Sequence, residues 1–172
     1  TVNSVNDLPV LKAIKDQKIK EGQTFRPIAL DKFVSDDDHD VALLTWDLSV
    51  TSNNKSNTCP KVELVNAYEL TITTPNENWN GDCLLNISVK DPEGGMASTK
   101  VALAATSVND LPKITAIPDA AVREGEKFKP LMLNELVTDA DHTTSSIKWS
   151  FEGAKELKVV VDKNNVATIV IP

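Results

Sequence analysis

Two copies of one sequence unit run head to tail through this chain, and their register constrains the fold more than any single residue does. Val5-Asn6-Asp7-Leu8-Pro9 returns 103 residues later as Val108-Asn109-Asp110-Leu111-Pro112. With that shift and no gap, Glu21-Gly22 falls on Glu124-Gly125, Phe25 on Phe128, Pro27 on Pro130, Asp36-x-Asp38-His39 on Asp139-x-Asp141-His142, and Trp46 on Trp149. A period of about 100 residues is too long for solenoid repeats, which need their neighbours to bury a core, and fits a string of self-sufficient domains. The expected division is a complete repeat at 1–107 and a partial second repeat at 108–172. Val166 to Pro172 align with Glu69 to Pro75 at a shift of 97, and nothing in the second copy matches Asn76 to Ser107. The second unit is therefore expected to lack its last two strands, and Thr1 to Ser4, which resemble Ala104 to Ser107, are expected to be the tail of a preceding repeat.

Within one repeat, short runs of alternating apolar and polar residues separated by turn residues read as strands throughout, with no convincing amphipathic helix. The runs are Val10 to Ile14 continuing to Ile19 (A), Phe25 to Leu30 (B), Leu43 to Val50 (C), Val62 to Val65 (D), Tyr68 to Thr73 (E), Leu84 to Val89 (F) and Lys100 to Ala104 (G). Seven strands at this spacing are the pattern of an immunoglobulin-like β-sandwich, so the fold class is all-β, tandem and sandwich-like. Leu44, Trp46 and Leu48 share one face of strand C, as Ile147, Trp149 and Phe151 do in the second copy, which assigns both indoles to core packing. Trp79, in the E–F connection, has two readings: a plug under the end of the sandwich, or a sugar-stacking platform. A platform must face solvent, so burial decides between them.

Because adjacent strands run antiparallel, the loops sort to two ends. Asn6, Asp7, Asp36, Asp38 and Asp91 gather where the chain enters the first unit. Glu21 and Glu77 gather where it leaves, together with Asn109 and Asp110 of the junction and Asp139 and Asp141 of the next copy. Calcium takes six to eight oxygen ligands, so both sets suit it. Short acidic loops are also simply solvated, and Asp and Asn favour turns by mimicking backbone hydrogen bonds. An EF-hand is excluded at Asp36 to Asp40, because Val41 stands where the loop requires glycine.

A net charge of −7 leaves no basic stripe to displace counterions from phosphates, which excludes a nucleic-acid partner. Nothing approaches the roughly 18 consecutive apolar residues of a membrane-spanning helix. His39 and His142 follow Asp-x-Asp in each copy without a nearby cysteine or second histidine to complete a zinc set, and loop capping is their expected role. No Gly-x-Ser-x-Gly elbow or phosphate-cradling glycine loop is present, so the chain is read as non-catalytic.

Taken together, Val-Asn-Asp-Leu-Pro at both unit starts, Val34-Ser35-Asp36-x-Asp38 and Val137-Thr138-Asp139-x-Asp141, Asn78-Trp79-Asn80-Gly81, and Val89-Lys90-Asp91-Pro92-Glu93-Gly94-Gly95 resemble a known class. They are similar to the bacterial cadherin-like, immunoglobulin-fold tandem repeats of large surface and secreted proteins. The resemblance implies an extracellular spacer or adhesion repeat whose junctions bind calcium. By analogy with cadherins, the junction ligands would be Glu21, Glu77, Asn109, Asp110, Asp139 and Asp141. The alternatives are a glycan- or protein-binding module and an accessory domain of a secreted enzyme. Partners implied are neighbouring repeats of the same polypeptide and, where the second unit exposes an open edge, a strand-swapped homodimer. An extracellular setting favours oxidation, and Cys59 at the end of the C–D loop and Cys83 at the start of strand F share the exit end, so a disulfide between them is expected. Asn54-Lys55-Ser56 and Asn86-Ile87-Ser88 match the glycosylation triplet, which has no consequence in a bacterial protein.

Overall fold

The first predicted strand is divided between two ladders. In the computed structural model, which describes residues 5–52, 58–153 and 156–171, β1 (Val10–Leu11) pairs antiparallel with β4 (Val34–Ser35), while β2 (Gln17–Lys20) pairs parallel with β9 (Met96–Thr106). Between them the chain changes sheets. Asp16 Oδ1 accepts the Ala102 backbone N–H at 2.7 Å, one residue before β2 takes over the ladder. The glycosylation triplet at Asn54 and the segment Thr1 to Ser4 lie outside the described residues.

The strand predicted at Phe25 to Leu30 is also shorter than its pattern. Only β3 (Ile28–Ala29) pairs, and a 3-10 turn over Leu30–Lys32 follows it. Pro27 has no N–H for a ladder. One residue earlier, the Gln17 side-chain amide replaces a strand: Oε1 accepts from Arg26 N at 2.8 Å and Nε2 donates to Arg26 O at 3.0 Å. Val41–Leu43, predicted in part as strand C, form another 3-10 turn before β5 (Thr45–Ser52) begins.

The remaining strands of the first unit are β6 (Lys61–Leu64), β7 (Glu69–Thr73) and β8 (Gly81–Lys90). They complete two sheets of order β2-β9-β8-β5 and β3-β7-β6. The longest ladders join β8 to β9 and to β5, from Lys90↔Met96 and Lys90↔Thr45 at one end to Cys83↔Leu103 and Cys83↔Ser52 toward the other. Period-two alternation sends Cys83, Leu85, Ile87 and Val89 of β8 and Val101, Leu103 and Ala105 of β9 inward; all but Val89 join one core with Leu70 and Ile72 of β7 and Leu30 of the 3-10 turn. Each fully buried leucine or isoleucine contributes roughly 1.5–3 kcal/mol, which makes this face the main stabilising feature of the unit. Trp46 is half-buried and packs against both the main core and the smaller group Val34, Leu44 and Val89.

The chain divides into two compact units, Thr1–Val108 and Asn109–Pro172. In the second, β10 (Lys113–Ile114) pairs with β12 (Val137–Thr138) in the register of β1 with β4. A sheet of order β11-β14-β13 joins Leu131–Met132, Val166–Val170 and Lys158–Val161. Among the described residues of this unit, Leu133, Val137 and Ala167 are buried. The strand predicted through Ile147, Trp149 and Phe151 forms no ladder among the described residues, because its counterpart β5 draws its hydrogen bonds from β8 and the described part of the second unit contains no equivalent strand. Gly22 and Gly125 both adopt positive φ, +78° and +83°, so the two Glu-Gly turns call for a residue without a Cβ.

Candidate functional site

The acidic residues of the entry end meet in the first unit because three loops end there. Asn6 and Asp7 lead into β1, Asp36 and Asp38 leave β4, and Asp91 closes β8. Asn6 Nδ2 donates to Asp91 Oδ2 at 2.9 Å, and the Asp7 backbone N–H donates to Asp38 Oδ2 at 2.6 Å. Asp36 Oδ1 accepts the backbone N–H groups of Asp38 (3.0 Å) and His39 (2.9 Å), with His39 Nδ1 at 3.1 Å. Three donors on one oxygen fix the carboxylate. The other oxygen, Asp36 Oδ2, is buried without a hydrogen-bond partner, and so is Asn6 Oδ1. The Asp36 side chain is fully shielded from solvent and Asp91 is 3% exposed. A buried, unsatisfied carboxylate oxygen is costly, and a coordinated cation is one of the few ways to relieve it.

Electrostatics follow from these contacts. The Asp91 carboxyl is held below its ordinary value by the bond from Asn6; burial acts against this, and the backbone N–H groups of Gly95, Gly94 and Glu93 reinforce it. Burial disfavours protonation of His39, but the bond to Asp36 and the charges of Glu93, Asp36 and Asp91 outweigh it and raise the imidazole above its usual range. The turn after Asp91 is tight. Gly95 N donates to Asp91 Oδ1 at 2.7 Å, and a methyl group on Gly95 would overlap Asp91 Oδ2 and Leu8.

The second unit repeats the geometry. Asp110 N donates to Asp141 Oδ2 at 2.5 Å, and Asp139 Oδ1 accepts from Asp141 N (3.0 Å) and His142 N (2.8 Å), with His142 Nδ1 at 3.1 Å. Asn109 Nδ2 is turned to the Asp110 carbonyl at 2.9 Å. Burial works against ionisation of Asp139, but the bonds from His142 and Asp141 and the charge of His142 prevail and lower its pKa. Among the described residues, Asp139, Asp141 and His142 each present one ligand atom within 4.8 Å of the others. His142 is absent from the ligand sets read from the sequence; its place three residues after Asp139 was the available signal.

At the exit end of the first unit, Glu21 Oε2 accepts from Asn80 Nδ2 at 3.0 Å, joining the turn after β2 to the loop that carries Glu77. Glu77 itself is exposed. Trp79 in that loop is 6% exposed, donates from Nε1 to the Thr58 carbonyl at 2.6 Å, and packs edge-on to Phe25 with ring centroids 6.2 Å apart. It is a plug, and a sugar platform is ruled out. Beside it Cys59 and Cys83 form the expected disulfide, with Cα atoms 5.9 Å apart. Sequence reading missed Glu93, whose Oε2 lies 2.7 Å from His39 Nε2. Set between Pro92 and Gly94, it reads as turn filler.

Two sheets of order β2-β9-β8-β5 and β3-β7-β6 with a split first strand define an immunoglobulin-like β-sandwich. Residues 6–104 match the profile described as the bacterial Ig domain, and the chain belongs to that family. No curated protein matches it. Similar solved structures include the extracellular cadherin domains 1–4 of protocadherin gamma B7 (17% identity, TM-score 0.46, 95% of this chain and 41% of that one). The extracellular domain of protocadherin gamma B4 (19%, 0.47, 99% and 27%) and domains EC1–4 of Drosophila N-cadherin (15%, 0.46, 95% and 41%) are others. The chain thus spans between 27% and 41% of the length of these three. Among the described residues no helix is long and apolar enough to cross a membrane.

Proposed function

We propose that the chain is a non-catalytic spacer or adhesion segment of a large extracellular bacterial protein, with a complete repeat at 1–107 and part of a second from 108, in which calcium binds at repeat ends and stiffens them. The observation that supports this most is the pair of buried, unpartnered oxygens, Asn6 Oδ1 and Asp36 Oδ2, set among Asp7, Asp38 and Asp91. Calcium would bring its charge to that oxygen-only set and offset the mutual repulsion of the carboxylates. Asp139 and Asp141, held as Asp36 and Asp38 are, form the same half-site in the second unit. The Cys59–Cys83 disulfide supports an oxidising, extracellular setting.

Extracellular modules bind calcium at about 0.1–1 mM, so 10 mM calcium should stabilise the first unit by about 1.4 kcal/mol or more through mass action. Calorimetric titration and melting curves in calcium, magnesium and chelator test this. The expected result is saturable calcium binding and a higher melting temperature, both abolished by Asp36→Asn with Asp91→Asn. Superimposed curves in calcium and chelator, with no heat of binding at several millimolar, would overturn it.

A further inference from the structure

The ligand atoms of the entry end come from separate loops, and one side chain ties two of them together. His39 Nδ1 lies 3.1 Å from Asp36 Oδ1 in the loop after β4, and Nε2 lies 2.7 Å from Glu93 Oε2 in the turn between β8 and β9. Both ring nitrogens face carboxylate oxygens, so the imidazole is engaged at each end. Glu93 is 55% exposed, yet the ring between it and Asp36 is only 13% exposed. The second unit supplies an internal comparison. His142 makes the same bond to Asp139 at 3.1 Å and, in a unit whose described residues hold no strands equivalent to β8 and β9, is 51% exposed.

We propose that His39 is a positioning residue for the cation site: with Glu93 it latches the Asp36-x-Asp38 loop to the turn that carries Asp91, so that the ligands from both loops are in place before the ion arrives. This inference rests on the calcium reading above. Its physical content is preorganisation. Three donors on Asp36 Oδ1, one of them the imidazole, leave Oδ2 free; the bond to Glu93 restrains the partner turn, whose Asp91 is already fixed by Asn6 and Gly95. Without the latch, the ion itself must order the two loops, and affinity falls by the entropy of doing so.

The test uses the whole chain, with His39→Asn and Glu93→Ala combined. Asparagine keeps a donor for Asp36 but cannot span to the turn, and alanine at position 93 removes the other half of the contact. Calcium affinity, by calorimetric titration, should weaken about three- to tenfold, the effect of one or two side chains that the ion must now order. In calcium-free buffer the melting temperature should hold while amide exchange speeds up at residues 36–39 and 91–95, which separates a latch from a general structural role. Glu93→Gln alone, which keeps an acceptor for Nε2, should retain more affinity than Glu93→Ala. A wild-type chain that binds calcium and a double variant that binds it equally well would overturn the latch and leave the calcium reading intact. A wild-type chain that binds no calcium would overturn both, the latch because it would have no ion to serve.

Discussion

Reducing the disulfide should destabilise the first unit without removing an atom from its core. Cys59 and Cys83 are 24 residues apart, and the chain-entropy estimate for closing a loop of that size is about 3.5 kcal/mol at 25 °C. The unit runs from Thr1 to Val108. At about 2.1 cal/mol/K per residue, its unfolding entropy near the midpoint is about 0.23 kcal/mol/K, so the melting temperature should fall by about 15 °C. Scanning calorimetry with and without a phosphine reductant measures this directly. The lower-melting species should also show altered Trp79 emission, because the carbonyl that holds its indole belongs to Thr58, the neighbour of Cys59. Cys59→Ala with Cys83→Ala should fall further than reduction alone, since Cys83 is 5% exposed and its truncation leaves a void in the main core. The reasoning fails if oxidised and fully reduced chains melt together, or if reduction moves a transition belonging to the second unit instead.

Gly95→Ala should destabilise the first unit by about 1–3 kcal/mol, the usual range for overpacking, because the added methyl group meets Asp91 and Leu8; urea midpoints would show it, and an unchanged midpoint would mean the turn can open freely. Calcium-free protein should lose stability in acid through Asp91. Its folded pKa lies below the unfolded value of 3.8, so its contribution is fully present above that pH and is lost as pH falls through the folded value. Asp91→Asn should flatten that part of the stability profile, and a variant profile parallel to wild type below pH 4 would contradict the assignment.

Much of the strand pattern was readable because it is local. Cys83, Leu85, Ile87 and Val89 alternate inward on β8 as any period-two strand with one buried face must, and the repeat of Asp-x-Asp ahead of each Trp marks the same loop twice. The ends of elements were less readable, since they depend on groups that substitute for the backbone. Gln17 pairs with Arg26 through its side chain, a bond that alternation does not encode, and Asp16 accepts the N–H of Ala102, 86 residues away and outside any local window. Strand β4 escaped notice because two residues, Val34 and Ser35, make too short a run for alternation to register.

The candidate site divides along the same line. Strand direction alone sends Asn6, Asp36, Asp38 and Asp91 to one end, and the hydrogen bonds among them follow from that placement. Glu93 meets His39 across two loops 54 residues apart in the chain, and its exposed position in a turn bears no mark of a partner. Repetition hid it further. A register that matches Asp36 to Asp139 and His39 to His142 draws attention to what both copies share, whereas Glu93 belongs to the stretch from Asn76 to Ser107 that has no counterpart in the second copy. The 13% exposure of His39 and 51% exposure of His142 mark the same point: His39 lies beside the turn that carries Glu93, whereas the described part of the second unit holds no strands equivalent to β8 and β9.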